Sequence, residues 1–202
     1  MRGPGTRFVI RDARQLRSLA SAARQEILDV LSQMGRASAA EIAVALGRPA
    51  SALYYHLRAL ARCGLVLPAG SRVRGGRPEA LFRTPGTELA IRYDLSSADH
   101  QRGMNAIVAS MLRLGIRDYR RSLGGGRVVV SGPRRDLWAI RKSGWLAPDQ
   151  VVRVNRLIAA LGATFRPQRR GRLYGITVLL TPLERRRPTG GTRGGASKGR
   201  RS

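Results

Sequence analysis

Cysteine is almost missing from this chain of 202 residues. Its one thiol, Cys63, excludes an internal disulfide and any multi-thiolate metal site. Histidine is hardly commoner. His56 and His100 lie far apart, so a zinc site would have to recruit carboxylates, and no metal is expected. Carboxylates are themselves scarce, 12 against 38 lysines and arginines. No paired acids, nucleophile with a base at hand or phosphate-cradling loop stands out, so neither an enzyme nor a cofactor is expected. Long apolar runs are absent as well. MRGPGTRFVIRD lacks the apolar core of a signal peptide and no run approaches a membrane span, which points to the cytoplasm and away from membranes.

What is abundant is positive charge. The formal net charge of +26, nearly all of it arginine, repels itself and suggests a polyanionic partner, with nucleic acid the first candidate. Lipid is a weaker candidate, because the charges do not gather on one amphipathic helix with a bulky apolar face. A preference for arginine over lysine also suits a GC-rich genome. The surplus is spread along the chain: +8 over residues 1–90, +11 over 91–184 and +7 over 185–202. Charge alone therefore says nothing of specificity, and a motif has to carry that argument.

At 43% hydrophobic the chain can bury a core, and its length suits one ordinary domain plus a smaller one. Residues 1–11 read as a flexible arm with a short extended piece at Phe8 to Ile10. From Asp12 to Met34 the spacing of Leu16, Leu19, Ile27, Leu28, Leu31 and Met34 is helical. Ser21 divides it into two halves and is placed to cap the second, which Gly35 ends.

The stretch SAAEIAVALGRPASALYYHLRALARCGLV, Ser38 to Val66, is the centre of the chain. Ser38 and Glu41 have capping-box spacing, Ile42 and Leu46 face inward, and Gly47 supplies a sharp turn. Pro49 suits the first position of the next helix. At roughly 100° per residue, Leu53, Leu57 and Leu60 share a narrow arc. Ser51, Tyr55, Arg58 and Arg62 point the other way, with Tyr54 and His56 on the flanks. Such a face by itself also fits a solvated helix. Behind a capped helix and a glycine turn it fits the second helix of a helix-turn-helix, which enters the DNA major groove. Cys63 reads as a small apolar filler and Gly64 as the helix stop.

Leu65 to Leu67 and Ala80 to Thr84 read as strands joined by SRVRGGRPE. Arg72, Arg74 and Arg77 surround Gly75 and Gly76, as suits a hairpin tip that clamps phosphates. Residues 12–86 resemble the winged helix-turn-helix domain of ArsR-like transcriptional regulators, on LASAARQEILDVL, ASAAEIAVALGRPASALYYHLRALARCGLV and the wing GGRPEALFR. The resemblance implies a dimeric, sequence-specific DNA-binding protein, usually a repressor, with its reading helix at Ala50 to Arg62 and its wing at Arg72 to Arg77. Metal-sensing members carry paired cysteines on or beside that helix. With only Cys63 here, thiophilic metals are not the expected signal.

Beyond the wing, Ala98 to Leu123 is helical, with a stripe of Met104, Ile107, Val108, Met111, Leu114 and Ile116. Met104, Ile107, Val108, Met111 and Leu114 suit a dimerisation helix, since two DNA half-sites about one turn apart need a two-fold partner. The same stripe would also serve to pack back on the wing domain. Arg127 to Ser131 and Leu173 to Thr181 are strand candidates, and Asp136 to Ser143 a helical turn. Pro148 opens a helix with Val151, Val154, Leu157, Ile158 and Leu161 inward. Trp138 and Trp145 read as buried packing residues. RRRPTGGTRGGASKGRRS, from Arg185, has the composition of a disordered basic tail.

The expected class is mainly α with a small β component (α+β). It comprises an arm at 1–11, a winged helix-turn-helix domain at 12–90, a dimerisation helix and small α/β region at 91–184, and a tail at 185–202. The expected function is a homodimeric regulator of transcription bound to double-stranded DNA at an inverted repeat. The alternative is a sequence-tolerant nucleic-acid binder that uses the winged helix as a basic scaffold.

Overall fold

The computed structural model describes residues 7–165, 167 and 171–184. Strand β1 (Arg7–Ile10) leads into α1 (Ala13–Leu19). Asp12 caps α1, its carboxylate accepting the Arg14 N–H at 2.5 Å, and Gln15 reaches back to the Asp12 N–H. Helix α2 (Ala22–Met34) follows Ser21, which makes no side-chain cap, and stops at Gly35 with φ of 73°. Then come β2 (Ala37–Ser38), α3 (Ala39–Leu46) and α4 (Ser51–Arg62). One apolar core joins them: Leu16, Ile27, Leu31, Ile42, Leu53 and Leu60 are all sealed from solvent. Each lies on the inward arc that helical periodicity assigns it, so local pattern and packing agree.

A three-stranded sheet follows, in the order β2-β4-β3. Strands β3 (Leu67–Arg74) and β4 (Arg77–Arg83) are longer than the sequence pattern implied, because Gly75 and Gly76 alone make the turn, at φ of 56° and 74°. Two consecutive positive φ values give a turn whose twist matches the strands. β2 pairs with β4 through Ala37 opposite Phe82, which ties the wing to the entrance of α3.

Of the expected arm, residues 7–10 form a strand. β1 runs parallel to β5 (Glu88–Ile91), with Arg7 opposite Glu88 and Ile10 opposite Ile91. Ile10 is buried in the main core, which gives the pairing its driving force. The Arg92 N–H also donates to the Ile10 carbonyl at 3.0 Å, which extends the pairing one residue beyond β5.

Helix α5 (Ala98–Gly124) starts at Ser97, whose hydroxyl accepts the His100 N–H at 3.2 Å. The stripe expected for dimerisation divides between the chain's own core and its surface. Met104 and Ile107 belong to the core of their own chain, with Met111 packed against it, while Val108 and Leu114 are half-buried. Gly103 lets α5 approach α1, since a Cβ there would stand 3.2 Å from the Leu16 Cβ. On the other side of α5, Leu112, Ile116 and Leu123 remain exposed.

Residues beyond α5 depart furthest from expectation. Neither 127–131 nor 173–181 forms a ladder, and 136–143 makes no helical turn. Without a paired neighbour, β-branched sequence alone does not make a strand. Asp136 ties the two extended segments together: it accepts the Val129 N–H at 2.7 Å and, on its other oxygen, Arg172 and the Tyr174 hydroxyl at 3.2 Å each. Helix α6 (Pro148–Thr164) begins at a proline as expected, but no residue on it is buried. Val151, Leu157 and Leu161 are exposed, and Val154 and Ile158 only half-covered. Trp138 and Trp145 are likewise exposed rather than packed inside, and Arg135 stacks over the Trp138 ring at 3.9 Å. The basic tail expected at 185–202 lies outside the described residues.

Candidate nucleic-acid interface

Helix α3 is fastened at its start by reciprocal hydrogen bonds. The Ser38 N–H donates to Glu41 at 2.9 Å, and the Glu41 N–H donates to the Ser38 hydroxyl at 3.2 Å. Gly47, in the left-handed region at φ of 61°, ends the helix and turns the chain. Arg48 in that turn reaches Glu26 of α2 at 2.5 Å, and Arg117 of α5 meets the other oxygen of the same carboxylate at 2.5 Å. One acid on α2 thus ties the turn that precedes α4 to helix α5. Sequence reading missed this centre because its members lie 22 and 91 residues apart.

Helix α4 divides as its periodicity implies. Leu53, Leu57 and Leu60 are buried, while Ser51, Tyr54, Tyr55, Arg58 and Arg62 are exposed. Tyr54 and Tyr55 are 49% and 67% open to solvent, a large aromatic surface that no described residue covers. His56 differs from its neighbours. It is half-buried beside Tyr55, with ring centroids 5.5 Å apart, and its Nδ1 is sealed without a hydrogen-bond partner. Burial, reinforced by Arg24 and Arg48, lowers its pKa, so the imidazole is neutral at physiological pH. It is a flank of the exposed face rather than a charge upon it.

The three wing arginines do not share one role. Arg74 and Arg77 face each other across the tip, both exposed. Arg72 instead forks onto Glu79 at 2.8 Å and Glu41 at 2.9 Å, bracing the wing against α3. Two of its three nitrogens, Nε and Nη2, are engaged by these carboxylates, and the side chain stays partly exposed. The pairing returns an effect on the acids. Glu79 is held below the usual carboxylate range by Ser38 and Arg72. Glu41 is partly buried, which works the other way, yet the Ser38 N–H and Arg72 hold it low as well. A two-residue turn at Gly75–Gly76 places 72 opposite 79 by counting alone. Treating SRVRGGRPE as one long connection hid that signal.

These parts form a capped helix, a glycine turn, an aromatic and basic second helix and a braced hairpin. Residues 19–68 match the family described as a helix-turn-helix domain, which belongs among the ArsR and winged-helix families of such domains. No curated protein matches the chain. A helix-turn-helix domain supports a DNA-binding role. The match ends at the first residues of the wing and leaves α5 and α6 outside it. No helix among the described residues is long and apolar enough to cross a membrane.

Proposed function

We propose that the chain is a sequence-specific regulator of transcription that binds an inverted repeat as a homodimer and represses. The outer face of α4 carries this reading: Ser51, Tyr55 and Arg58 project from a helix whose opposite side is locked by three buried leucines. Side chains held on a rigid helix can discriminate base edges, whereas arginines at a hairpin tip hold phosphates of any sequence. Arg74 and Arg77 take that second part, with Arg72 bracing the hairpin. Repression follows the resemblance to ArsR-like regulators.

The dimer rests on surface that one chain leaves uncovered. Leu112, Ile116 and Leu123 of α5 and Leu157 and Leu161 of α6 are exposed. So are Ile176, Val178 and Leu180 of the final extended segment. Exposed apolar side chains of this kind are costly in water, and a second copy offers the same ones in return.

Binding of an operator-bearing fragment and of random duplex should be titrated side by side. Arg58→Ala should weaken operator binding by about tenfold or more and random binding little, a difference of about 1–3 kcal/mol. Arg74→Ala should weaken both about equally. Equal losses for Arg58→Ala on the two DNAs would remove the base-reading role. The spread of arginine over the whole chain favours a second reading, a sequence-tolerant nucleic-acid binder. That reading predicts that unlabelled random DNA at near-physiological salt competes away every complex.

A further inference from the structure

Between α5 and α6, residues 127–145 carry five basic side chains and one acid, Asp136. That acid is already engaged. Its Oδ2 accepts Arg172 and the Tyr174 hydroxyl at 3.2 Å each, and its Oδ1 accepts the Val129 N–H at 2.7 Å. Arg134, Arg135, Arg141 and Lys142 are exposed and make no ion pair among the described residues. The segment therefore presents positive charge that no described carboxylate neutralises.

It forms neither helix nor ladder, yet it is held in place. The Asp136 N–H donates to the Val129 carbonyl at 2.9 Å and closes a loop over 129–136. Within that loop the Arg135 N–H meets the carbonyl of Gly132, whose φ is 73°. At the exit, Arg135 lies over the Trp138 ring at 3.9 Å and its Nε donates to the Leu137 carbonyl at 3.0 Å. Stack and hydrogen bond together fix ring and guanidinium. Trp138 stays 60% exposed with that face covered, which leaves its opposite face open.

An indole fixed in this way and bordered by unmatched cations suits unpaired nucleotides. A base stacks on the ring while backbone phosphates meet the guanidiniums. In a duplex both faces of each base are taken by its neighbours, so the ring favours a single strand. We propose that residues 127–145 are a second DNA contact that takes a single strand, with a base on Trp138 and phosphates on Arg134 and Arg141. The helix-turn-helix domain of the same chain supports DNA binding, which makes DNA the strand at hand. This contact depends on neither the inverted repeat nor the dimer.

The test titrates the full chain with oligo-thymidylate of about 15 nucleotides, the upper range of one binding site. Random duplex and oligo-uridylate of equal length are the comparison probes, all at near-physiological salt. Trp138→Ala should weaken the single strand about tenfold and the duplex less than about twofold. Trp138→Phe keeps a ring and should lose less than about threefold. The chain has two tryptophans, so Trp145→Phe leaves emission to Trp138 alone. Quenching by oligo-thymidylate should persist in Trp145→Phe and largely vanish in Trp138→Phe. Arg134→Gln combined with Arg141→Gln should flatten the salt dependence by about 1.4 in log–log slope, at ~0.7 per phosphate.

Unchanged single-strand binding by Trp138→Ala, equal losses on strand and duplex, or quenching that survives in Trp138→Phe overturns the site. An unchanged salt slope overturns the phosphate contacts, and tighter binding of oligo-uridylate overturns DNA as the strand. Arg58→Ala should leave oligo-thymidylate binding within about twofold. A chain that fails to prefer its operator but passes these measurements loses the regulator reading and keeps this contact.

Discussion

Arg48, in the turn that introduces α4, donates to Glu26 of α2 at 2.5 Å. Because Arg117 of α5 claims the other oxygen of the same acid, three elements are drawn to one point. The Glu26 side chain is only 13% exposed, so its charge depends on these two partners for solvation.

Removing that acid should be costly. Glu26→Ala leaves Arg48 without its carboxylate and Arg117 with Asp118 alone. Breaking a fully buried pair costs ~3–5 kcal/mol, and here about 2 kcal/mol is expected because both arginines keep about a third of their side chains in water. Urea unfolding at pH 7 reads the loss, and Glu26→Gln should fall between the variant and the wild type. A loss under about 0.5 kcal/mol, the size of an ordinary surface change, would show that the centre does not organise the fold.

Ser38 serves both α3 and the wing, since its hydroxyl caps the helix and meets Glu79. Ser38→Ala should lower stability by about 1–2 kcal/mol, the upper part of the range for a lost N-cap. Ser51→Ala, on the exposed start of α4, should stay within about 0.5 kcal/mol. Thermal melts of the two variants side by side make the comparison, and equal midpoints would contradict it.

His56 gives a pH dependence with a defined sign. Its folded pKa lies below the ordinary 6.5, because burial and the nearby Arg24 and Arg48 disfavour the imidazolium. The unfolded chain therefore binds the proton more readily, and stability falls as pH drops below 6.5. Above 6.5 both states are neutral and the contribution is complete. His56→Gln should flatten this part of the stability profile, as followed by urea midpoints from pH 8 to 5. An unchanged slope would place the titration on another group.

Gly103 should resist even alanine. A Cβ there meets the Leu16 Cβ at 3.2 Å, and a Cβ cannot swing aside as the end of a side chain can. Alanine gains ~1 kcal/mol of helix propensity over glycine, while overpacking costs about 1–3 kcal/mol, so Gly103→Ala should be destabilising by about 1 kcal/mol. Gly162, where a Cβ meets nothing, should instead be stabilised by the same change. Denaturant midpoints that rise for both variants would show that α1 and α5 have room to part.

The proposed dimer makes a prediction about mass. Sedimentation equilibrium should give a two-chain species for the wild type and a single chain for Leu157→Asp combined with Leu161→Asp. Both leucines are exposed, so a folded monomer should survive the change. A wild type that stays a monomer at all concentrations would remove the two-fold reading.

Much of the winged helix was legible beforehand. The Ser38–Glu41 cap, the Gly47 turn and the Leu53, Leu57 and Leu60 face depend on residues three or four apart, and the helix imposes those spacings on itself. The exposed Ser51, Tyr55, Arg58 and Arg62 follow from the same rotation. The Arg72 brace to Glu79 and Glu41 was not legible because it depends on strand register, which a two-residue turn sets and a longer one would change.

The sequence by itself determined where the helices of the winged unit begin and end and which side of each is apolar, because those are local properties. Tertiary structure alone decided what each apolar side meets. The stripe through Met104 and Ile107 has the same periodicity whether it faces its own domain or a second chain, and only the fold shows those two residues in one core with Leu16. Residues 7–10 became a strand because residues 88–91 lie beside them. Residues 127–131 and 173–181, with equal β character, found no such neighbour among the described residues. A strand is completed by a partner far away in the chain, whereas a helix completes its hydrogen bonds within itself, and that difference separates what could be read from what had to be seen.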